Sequence, residues 1–388
     1  MPLTKVSFSV IQVANNVTST TVGNTTSIPS FTFDQNGIIT SASNVTPSIA
    51  NTQITGVITA AQYAANSISN TNIQTGAIEN YLNSQSMNLG MRNRIINGNM
   101  AINQRGVTSG ITSGYFVDRW TLSGCSTSAT LTSSLPTGFN SGISISATSG
   151  NPIAIQKVEA KNCSDLSGRN VTLSFYAKNL SNATTLYASL AYATASDNFG
   201  STTTISEQNL GTLTSDWVRY TYTWTSLPSG VLNGLALNLL CAGTGTFSMG
   251  ITGVQLEVGN APTPFEFRQF NTELALCQRY CQVISGAGTA ASSSPVGSGY
   301  CVGTTNFYVP YVLKVLPRTP PTGISVTNAG SFSAAFGSAS AASSITFAGG
   351  SFEGCFMQVA ITGGTAGYGG VLYMTNTNAK IELTGMEL

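Results

Sequence analysis

WVRYTYTW, residues 217–224, is the stretch from which the fold can be read. In an extended chain successive side chains point to opposite faces. Val218, Tyr220, Tyr222 and Trp224 therefore share one side, and Trp217, Arg219, Thr221 and Thr223 the other. The first side is apolar enough for a core. The second mixes an indole, a guanidinium and hydroxyls, which suits solvent or a polar ligand. The segment reads as a half-buried β-strand.

The flanking segments repeat the pattern. VTLSFYA (171–177), TTLYASLAY (184–192), LALNLL (235–240) and ITGVQLEV (251–258) alternate or are densely apolar, with Gly, Ser, Asn and Pro between them. Many short strands at this spacing predict an antiparallel β-sandwich of the jelly-roll kind over residues 91–270. NTELALCQRYCQ (271–282) follows as a short helix, capped by Asn271 or Thr272, with Leu274, Cys277 and Cys281 along one side. Residues 283–388 are rich in Gly, Ser and Ala and read as a smaller C-terminal β domain, with LPRTPPTG (316–323) a rigid extended connection.

Upstream, residues 1–90 hold only three charges, Lys5, Asp34 and Glu79. VSFSVIQV reads as a strand and SFTFDQNGIIT as a hairpin around Asn36-Gly37, so residues 1–39 are expected to be N-terminal strands. SIANTQI (48–54) recurs as SISNTNI (67–73). A repeat this short cannot bury its isoleucines within one chain. Three parallel copies would bury them together, so residues 40–90 are expected to form a trimeric shaft; a polar linker is the alternative. The whole chain is thus expected to be mainly β: extended shaft, sandwich, short helix, C-terminal β domain.

Composition narrows the function. Charged residues make up 7% of the chain, the formal net charge is +1, and there is no histidine. So small a charge supplies no general attraction for nucleic acid or an anionic membrane. Without histidine there is no Ser/His/Asp or Cys/His catalytic arrangement, and the commonest metal ligand is missing. The seven cysteines show no CxxC spacing, so a zinc site is not expected, and they read as small buried hydrophobes of a protein folded in a reducing cytoplasm. No clustered acidic ligands suggest calcium, and no cofactor is expected. The N-terminus is not a secretory signal, and no apolar run is long enough to span a membrane.

Against this nearly neutral background MRNRIINGNMAINQRG (91–106) concentrates Arg92, Arg94 and Arg105, with Arg119 close behind. The arginines interleave with Ile95, Ile96 and Ile102, which favours a structural junction over an anion patch. Arg92, Arg94 and Arg105 are expected to pair with carboxylates or carbonyls and fix the sandwich on its stalk. Asp118 is expected to pair with an arginine of the cluster, and Trp120 to enter the first sandwich strand as core.

RNRIINGNMAINQRG, GYFVDRW (114–120) and ITGVQLEVGNAPTPFEFRQFNTELALCQRYCQ (251–282) together resemble a module common in bacteriophage tail-fibre proteins. YVLKVLPRTPPTG resembles the family more loosely, and Cys281 stands where relatives commonly carry an aromatic. The resemblance implies a homotrimeric fibre or spike of the virion, assembled in the host cytoplasm. It implies an N-terminus docked on other virion proteins and a jelly-roll similar to a carbohydrate-binding module that recognises a host-surface glycan or other receptor. A purely structural head, collar or adaptor fibre is the alternative.

Sugar recognition uses aromatic faces for the apolar side of a pyranose and planar polar groups for its hydroxyls. Trp217, Arg219, Tyr187, Tyr192, Asp197 and Asn198 offer that chemistry in the sandwich, and Tyr300, Tyr308, Tyr368 and Tyr373 in the C-terminal domain. Glycan cleavage would need two carboxylates roughly 5 to 10 Å apart. Carboxylates are scarce, and although a pair could form by chance among Asp165, Asp197, Glu207 and Asp216, no enzymatic activity is expected.

Overall fold

The structure, a computed structural model, describes residues 21–47, 91–286 and 294–388. The chain divides into one unit that ends at Met87 and another that runs from Asn88 to Leu388. In the first, β1 (Ile28–Phe33) and β2 (Ile39–Val45) form an antiparallel hairpin. Asp34 Oδ1 accepts the N–H groups of Asn36 and Ile38 at 2.9 and 2.8 Å, and Gly37 supplies the left-handed turn with φ of 79°. The hairpin expected at Asn36-Gly37 is therefore present. Phe31 and Phe33 stay exposed on it. The VSFSVIQV strand and both copies of the isoleucine repeat, hence most of the expected shaft, lie outside the described residues.

The second unit opens with β3 (Gly114–Tyr115), β4 (Thr121–Ser123), β5 (Thr127–Leu131), β6 (Gly142–Ala147) and β7 (Ile153–Val158). β8 (Val171–Ala195), β9 (Asn198–Thr212), β10 (Val218–Trp224) and β11 (Leu235–Val258) complete a nine-stranded antiparallel sheet. β8 and β11, at 25 and 24 residues, are too long to lie flat in one layer. Their pairing breaks register at Gly243 and Ser248, opposite Ala183 and Asn182, and the sheet folds over there. The first half of β8 pairs β10 and the second half of β11, which continues to β6 and β5. The second half of β8 pairs β9 and the first half of β11, which continues to β7, β4 and β3.

The result is the expected jelly-roll sandwich. Leu173 and Phe175 of one layer meet Leu186, Leu190, Leu237 and Leu239 of the other in a single core. Each such side chain contributes about 1.5 to 3 kcal/mol on burial. Tyr220, Trp224 and Trp120 join that core as read from the sequence. Val218 does not, because it opens an edge strand and remains 38% exposed.

Helix α1 (Phe270–Gln278) follows. It starts after Gln269, so Asn271 and Thr272 lie in its first turn rather than capping it. Cys277 and Tyr280 pack with Ile96 and Ile102 in a satellite cluster. Then come β12 (Gln282–Ser285), β13 (Ser294–Cys301), β14 (Asn306–Val312), β15 (Gly323–Val326) and β16 (Phe332–Ala335). The chain finishes with β17 (Ala339–Ala341), β18 (Ser344–Gly350), β19 (Gly354–Ala360), β20 (Gly369–Met374) and β21 (Lys380–Thr384). These make a three-stranded sheet, β12-β21-β15, and a seven-stranded one, β17-β16-β20-β13-β14-β19-β18. Phe307, Phe332, Met357, Leu372 and Ile381 form their shared core. All seven cysteines are free and buried.

Candidate functional site

A sandwich offers two outer faces, and here they differ. Behind β10 and the first half of β8, the outer layer is polar: Thr172, Ser174, Thr252, Gln255 and Glu257. Every one of these is buried. A strap, residues 259–268, held extended by Pro262 and Pro264, bonds Thr172, Gln255 and Glu257 and reaches Ser174 through Arg219, while Thr252 donates to the Ser141 carbonyl at 2.7 Å. Glu257 accepts the Thr263 N–H at 2.8 Å and the Thr263 hydroxyl at 2.7 Å, while Gln255 Oε1 accepts the Glu266 N–H at 2.8 Å. Phe265 and Phe267 of the strap pack on Phe139, with ring centroids 5.2 Å away in each case, and Phe139 packs on Tyr176 at 5.4 Å. A buried polar layer is tolerated only when its groups are hydrogen-bonded, as these are.

Trp217 and Arg219 belong to this capped side. Arg219 donates to the Ser174 hydroxyl at 2.9 Å and to the Thr263 carbonyl. Trp217 donates its indole N–H to the Ser134 carbonyl at 2.6 Å and packs beside Gly250. The half-buried Arg219 guanidinium thus fastens the strap to the sheet.

The outer face of the other layer has no such cover from the strap. Strand pairing arranges it in rungs. One rung runs Glu207, Ser189, Asn238, Ile155, Thr121 and Tyr115 across β9, β8, β11, β7, β4 and β3. The next runs Asn209, Tyr187, Leu240, Ile153 and Ser123. From β9 to β4 the face spans about 19 Å at ordinary strand spacing. Glu207 and Asn209 are exposed and Tyr187 is half-buried. Asn238 donates to the Ser189 hydroxyl at 3.0 Å, which orients its amide within the rung. Lys157, on the same side, has its ammonium 5.3 Å from the Phe199 ring and donates to the Leu388 main-chain oxygen at 2.7 Å. Such a face can stack a ring on Tyr187 and exchange hydrogen bonds through Asn209, Glu207 and Asn238.

The six sequence candidates therefore do not converge. Tyr187 lies on the open face. Tyr192 turns the other way, packing against the core and over Gly230. Asp197 and Asn198 build the β8–β9 turn. Asp197 has φ of 56°, its carboxylate accepts the Ala160 N–H at 2.7 Å, and Asn198 Oδ1 accepts the Gly200 N–H at 3.1 Å. Asn209 and Asn238 were missed and Glu207 was weighed only as a catalytic carboxylate; Asn238 lay in a segment already read as a strand, and TTTISEQNL could have been extended as one from its β-branched run.

Among the described residues the arginine cluster is a junction within the second unit; the shaft it was expected to hold lies largely outside the described residues. Arg92 lies 3.6 Å from Glu257, and Arg94 pairs with Asp165 at 2.6 Å; both partners belong to the sandwich. Arg105 pairs with Glu382 at 2.8 Å and Glu387 at 3.1 Å, and buried Arg119 with Glu387 at 2.7 Å. The Arg119 guanidinium also sits 3.6 Å from the Tyr280 ring centroid, a cation–π contact. Arg279 and the Tyr280 hydroxyl both bond Glu159, at 2.7 and 2.9 Å. These contacts dock the C-terminal β domain on the sandwich. Asp118, expected to pair with an arginine, instead accepts the main-chain and side-chain N–H groups of Gln104, at 2.9 and 2.5 Å. Arg105 reaches past it to the two glutamates. Burial pushes the Asp118 carboxyl up, opposed by the two Gln104 bonds.

The two motif halves also meet. Glu266 accepts the Asn93 N–H at 2.8 Å, 173 residues away in sequence, and Arg268 donates to the Asn93 carbonyl. Asn97 accepts the Ile102 N–H at 2.9 Å and donates to the Ile102 and Asp118 carbonyls at 2.8 and 2.9 Å. Among the described residues no three His, Cys, Asp or Glu side chains are grouped to hold a metal ion, and no helix is long and apolar enough to cross a membrane.

No protein-family model matches the sequence, and no curated protein matches it. Among solved structures the chain is similar to an enzymatically active domain of tailspike protein 4 from bacteriophage CBA120, at 17% identity and a TM-score of 0.30. That match covers 43% of this chain and 22% of the tailspike domain, so it spans about a fifth of that structure. A putative sugar-binding protein from Bacteroides thetaiotaomicron matches at 15% identity over 43% of this chain and 100% of its own, with a TM-score of 0.32. A xylan-binding domain from Paenibacillus barcinonensis matches at 14% identity over 40% of this chain and 94% of its own, with a TM-score of 0.29.

Proposed function

We propose that the chain is a non-catalytic bacteriophage fibre or spike protein, a homotrimer on the virion that binds host-surface glycan through the open sandwich face. The observation that carries this reading is the asymmetry of the sandwich. One polar face is closed by its own strap, whereas the other leaves Tyr187, Asn209 and Glu207 accessible beside an ordered amide. Stacking plus hydrogen bonding is the chemistry a pyranose needs. Within its two principal rungs Glu207 is the sole carboxylate, which favours binding over acid–base cleavage. The exposed Phe31 and Phe33 of the N-terminal hairpin support association with further copies, since an isolated two-stranded hairpin is marginal in water. Weak contacts at three sites would then add through avidity.

The test is a glycan array of bacterial surface polysaccharides probed with the full chain and with Tyr187→Ala. Binding that falls roughly tenfold in the variant is expected. Failure of the wild type to bind any glycan sinks the reading, and release of new reducing ends would replace it with a glycan-degrading spike. Light scattering that gives a stable monomer removes the trimer.

A further inference from the structure

We infer that the outer face of the seven-stranded C-terminal sheet is a second carbohydrate platform, selective for neutral pyranoses. The inference rests on the glycan-binding reading above but concerns a different surface. Three observations converge on it.

The first is geometric. Tyr300 of β13 lies directly opposite Tyr308 of β14, Tyr308 opposite Gln358 of β19, and Gln358 opposite Thr346 of β18. Their neighbours Cys301, Phe307, Val309, Met357 and Val359 are buried in the core. By alternation the rung of Thr346, Gln358, Tyr308 and Tyr300 faces outward, about 14 Å across four strands. The two tyrosine rings have centroids 6.4 Å apart and planes 26° apart, and Tyr300 is 46% exposed. They form a stacked aromatic pair on the outward rung, with Tyr300 the more exposed ring.

The second is the hydrogen-bond relay beside that pair. The Tyr308 hydroxyl donates to Gln358 Oε1 at 3.0 Å, and Gln358 Nε2 donates to Asn306 Oδ1 at 2.9 Å. The relay fixes both amides and uses one N–H of Gln358. Each amide group carries two N–H bonds, so the relay keeps a donor on Gln358 next to the tyrosine rings, along with the lone pairs of the Tyr308 hydroxyl. A ring of alternating C–H faces and equatorial hydroxyls fits such a surface: stacking below, hydroxyls to the amides at the side.

The third is charge. None of the seven strands contains Asp, Glu, Lys or Arg. An acidic sugar finds no counter-ion there, so the platform favours neutral ones. A second copy of this chain is the competing occupant, since Phe356 is also exposed on β19. A flat protein partner would have to satisfy the second N–H of Gln358 and the Tyr308 hydroxyl lone pairs or bury them unpaired, which is costly. Sugar hydroxyls satisfy them in either sense, as donors or acceptors.

The experiment compares the wild type with Tyr300→Ala, Tyr308→Ala, Tyr300→Phe and Tyr187→Ala on an array of neutral and uronic-acid-containing glycans. Particle mass is measured alongside. The expected result is at least one neutral glycan whose affinity falls roughly tenfold in Tyr300→Ala and Tyr308→Ala. That glycan should be held normally by Tyr300→Phe, which keeps the ring, and by Tyr187→Ala. If the wild type binds glycans and both Tyr300→Ala and Tyr308→Ala bind them all equally well, the platform is overturned while the sandwich reading stands. A change in particle mass in the alanine variants also overturns it, because it places a second copy on the face. Equal loss in Tyr300→Phe and Tyr300→Ala overturns the stacking argument. If the wild type binds no glycan, both readings fall together.

Discussion

Replacing Arg119 should uncouple the C-terminal β domain from the sandwich, and the size of the effect can be worked from its contacts. Arg119 is 2% exposed. It bonds Glu387 at 2.7 Å and the Lys157 carbonyl at 2.6 Å, and its guanidinium covers the Tyr280 ring. Removing one partner of a buried ion pair typically costs about 3 to 5 kcal/mol, because the other charge stays buried. Glu387 keeps Arg105 at 3.1 Å, which places Arg119→Met at the lower end, about 3 kcal/mol. Glu387→Leu should cost a similar amount, since it strands Arg119. The double variant is the decisive one. Replacing a buried pair by apolar groups is often close to neutral, so the double should cost no more than either single, giving a coupling energy of about 3 kcal/mol. The assay is equilibrium urea unfolding followed by tryptophan fluorescence, since Trp120 adjoins Arg119 in the buried core. Single variants within about 1 kcal/mol of wild type, or a double equal to the sum of the singles, would refute the claim that this pair locks the two β structures together.

Arg94→Ala should behave differently from Arg119→Met although both break an ion pair. Its partner Asp165 is 54% exposed, so the loss should be under about 1 kcal/mol in the same unfolding assay, and a larger one would mean burial is the wrong guide. Burial pushes the Glu159 carboxyl up, but bonds from Arg279 and Tyr280 outweigh it and hold the carboxyl below its ordinary 4.5. Because the folded value is the lower one, the stabilisation is present above 4.5 and is lost as pH falls through the folded value. The stability gap between wild type and Glu159→Gln should therefore shrink on acidification, and a gap that is flat with pH would contradict the assignment. Gly253 has φ of 64°, and an added methyl would meet Phe139 at 2.6 Å. Gly253→Ala should accordingly cost roughly 2 kcal/mol by combining left-handed strain with overpacking, and a neutral result would show that the strap is loosely seated. Glycan binding at the uncharged C-terminal platform should vary little between low and high salt, whereas a steep salt dependence would point to ionic recognition.

Alternation made the strand at 217–224 legible because one face had to be apolar. It did not reveal that 171–177 and 184–192 are one strand. The bend between them is written in Lys178, Asn179, Leu180, Ser181 and Asn182, residues whose composition reads as a loop. The same is true of Gly243, Thr244 and Gly245 in β11. Nor does alternation say which of two polar faces will be covered. That is settled by a strap whose hydrogen bonds run from Thr263 and Glu266 back to Glu257 and Gln255. Side-chain chemistry alone therefore did not show that Arg219 fastens the strap. Tyr187 and Arg219 look equally suitable for a sugar in sequence, and only the path of the strap separates them.

The arginines follow the same logic over longer distances. Arg119 and Glu387 are 268 residues apart, and Arg105 and Glu382 are 277 apart. Local sequence carries no trace of such pairs, so a cluster of arginines in a neutral chain could be read as a junction but not assigned its partners. Their burial has a consequence for the surface. With five arginines, Arg92, Arg105, Arg119, Arg268 and Arg279, held in ion pairs that are at least partly buried, the sheet faces carry mainly hydroxyls, amides and aromatic rings, joined on the sandwich by Glu207 and Lys157. Such faces cannot draw an ionic partner from a distance. Their chemistry suits a ligand that presents hydroxyls and C–H edges. Weak, neutral and repeated contacts are what a multivalent particle needs to bind a glycan coat without being trapped on other charged surfaces. The placement of charge inside the molecule and the chemistry left outside it thus argue for the same function.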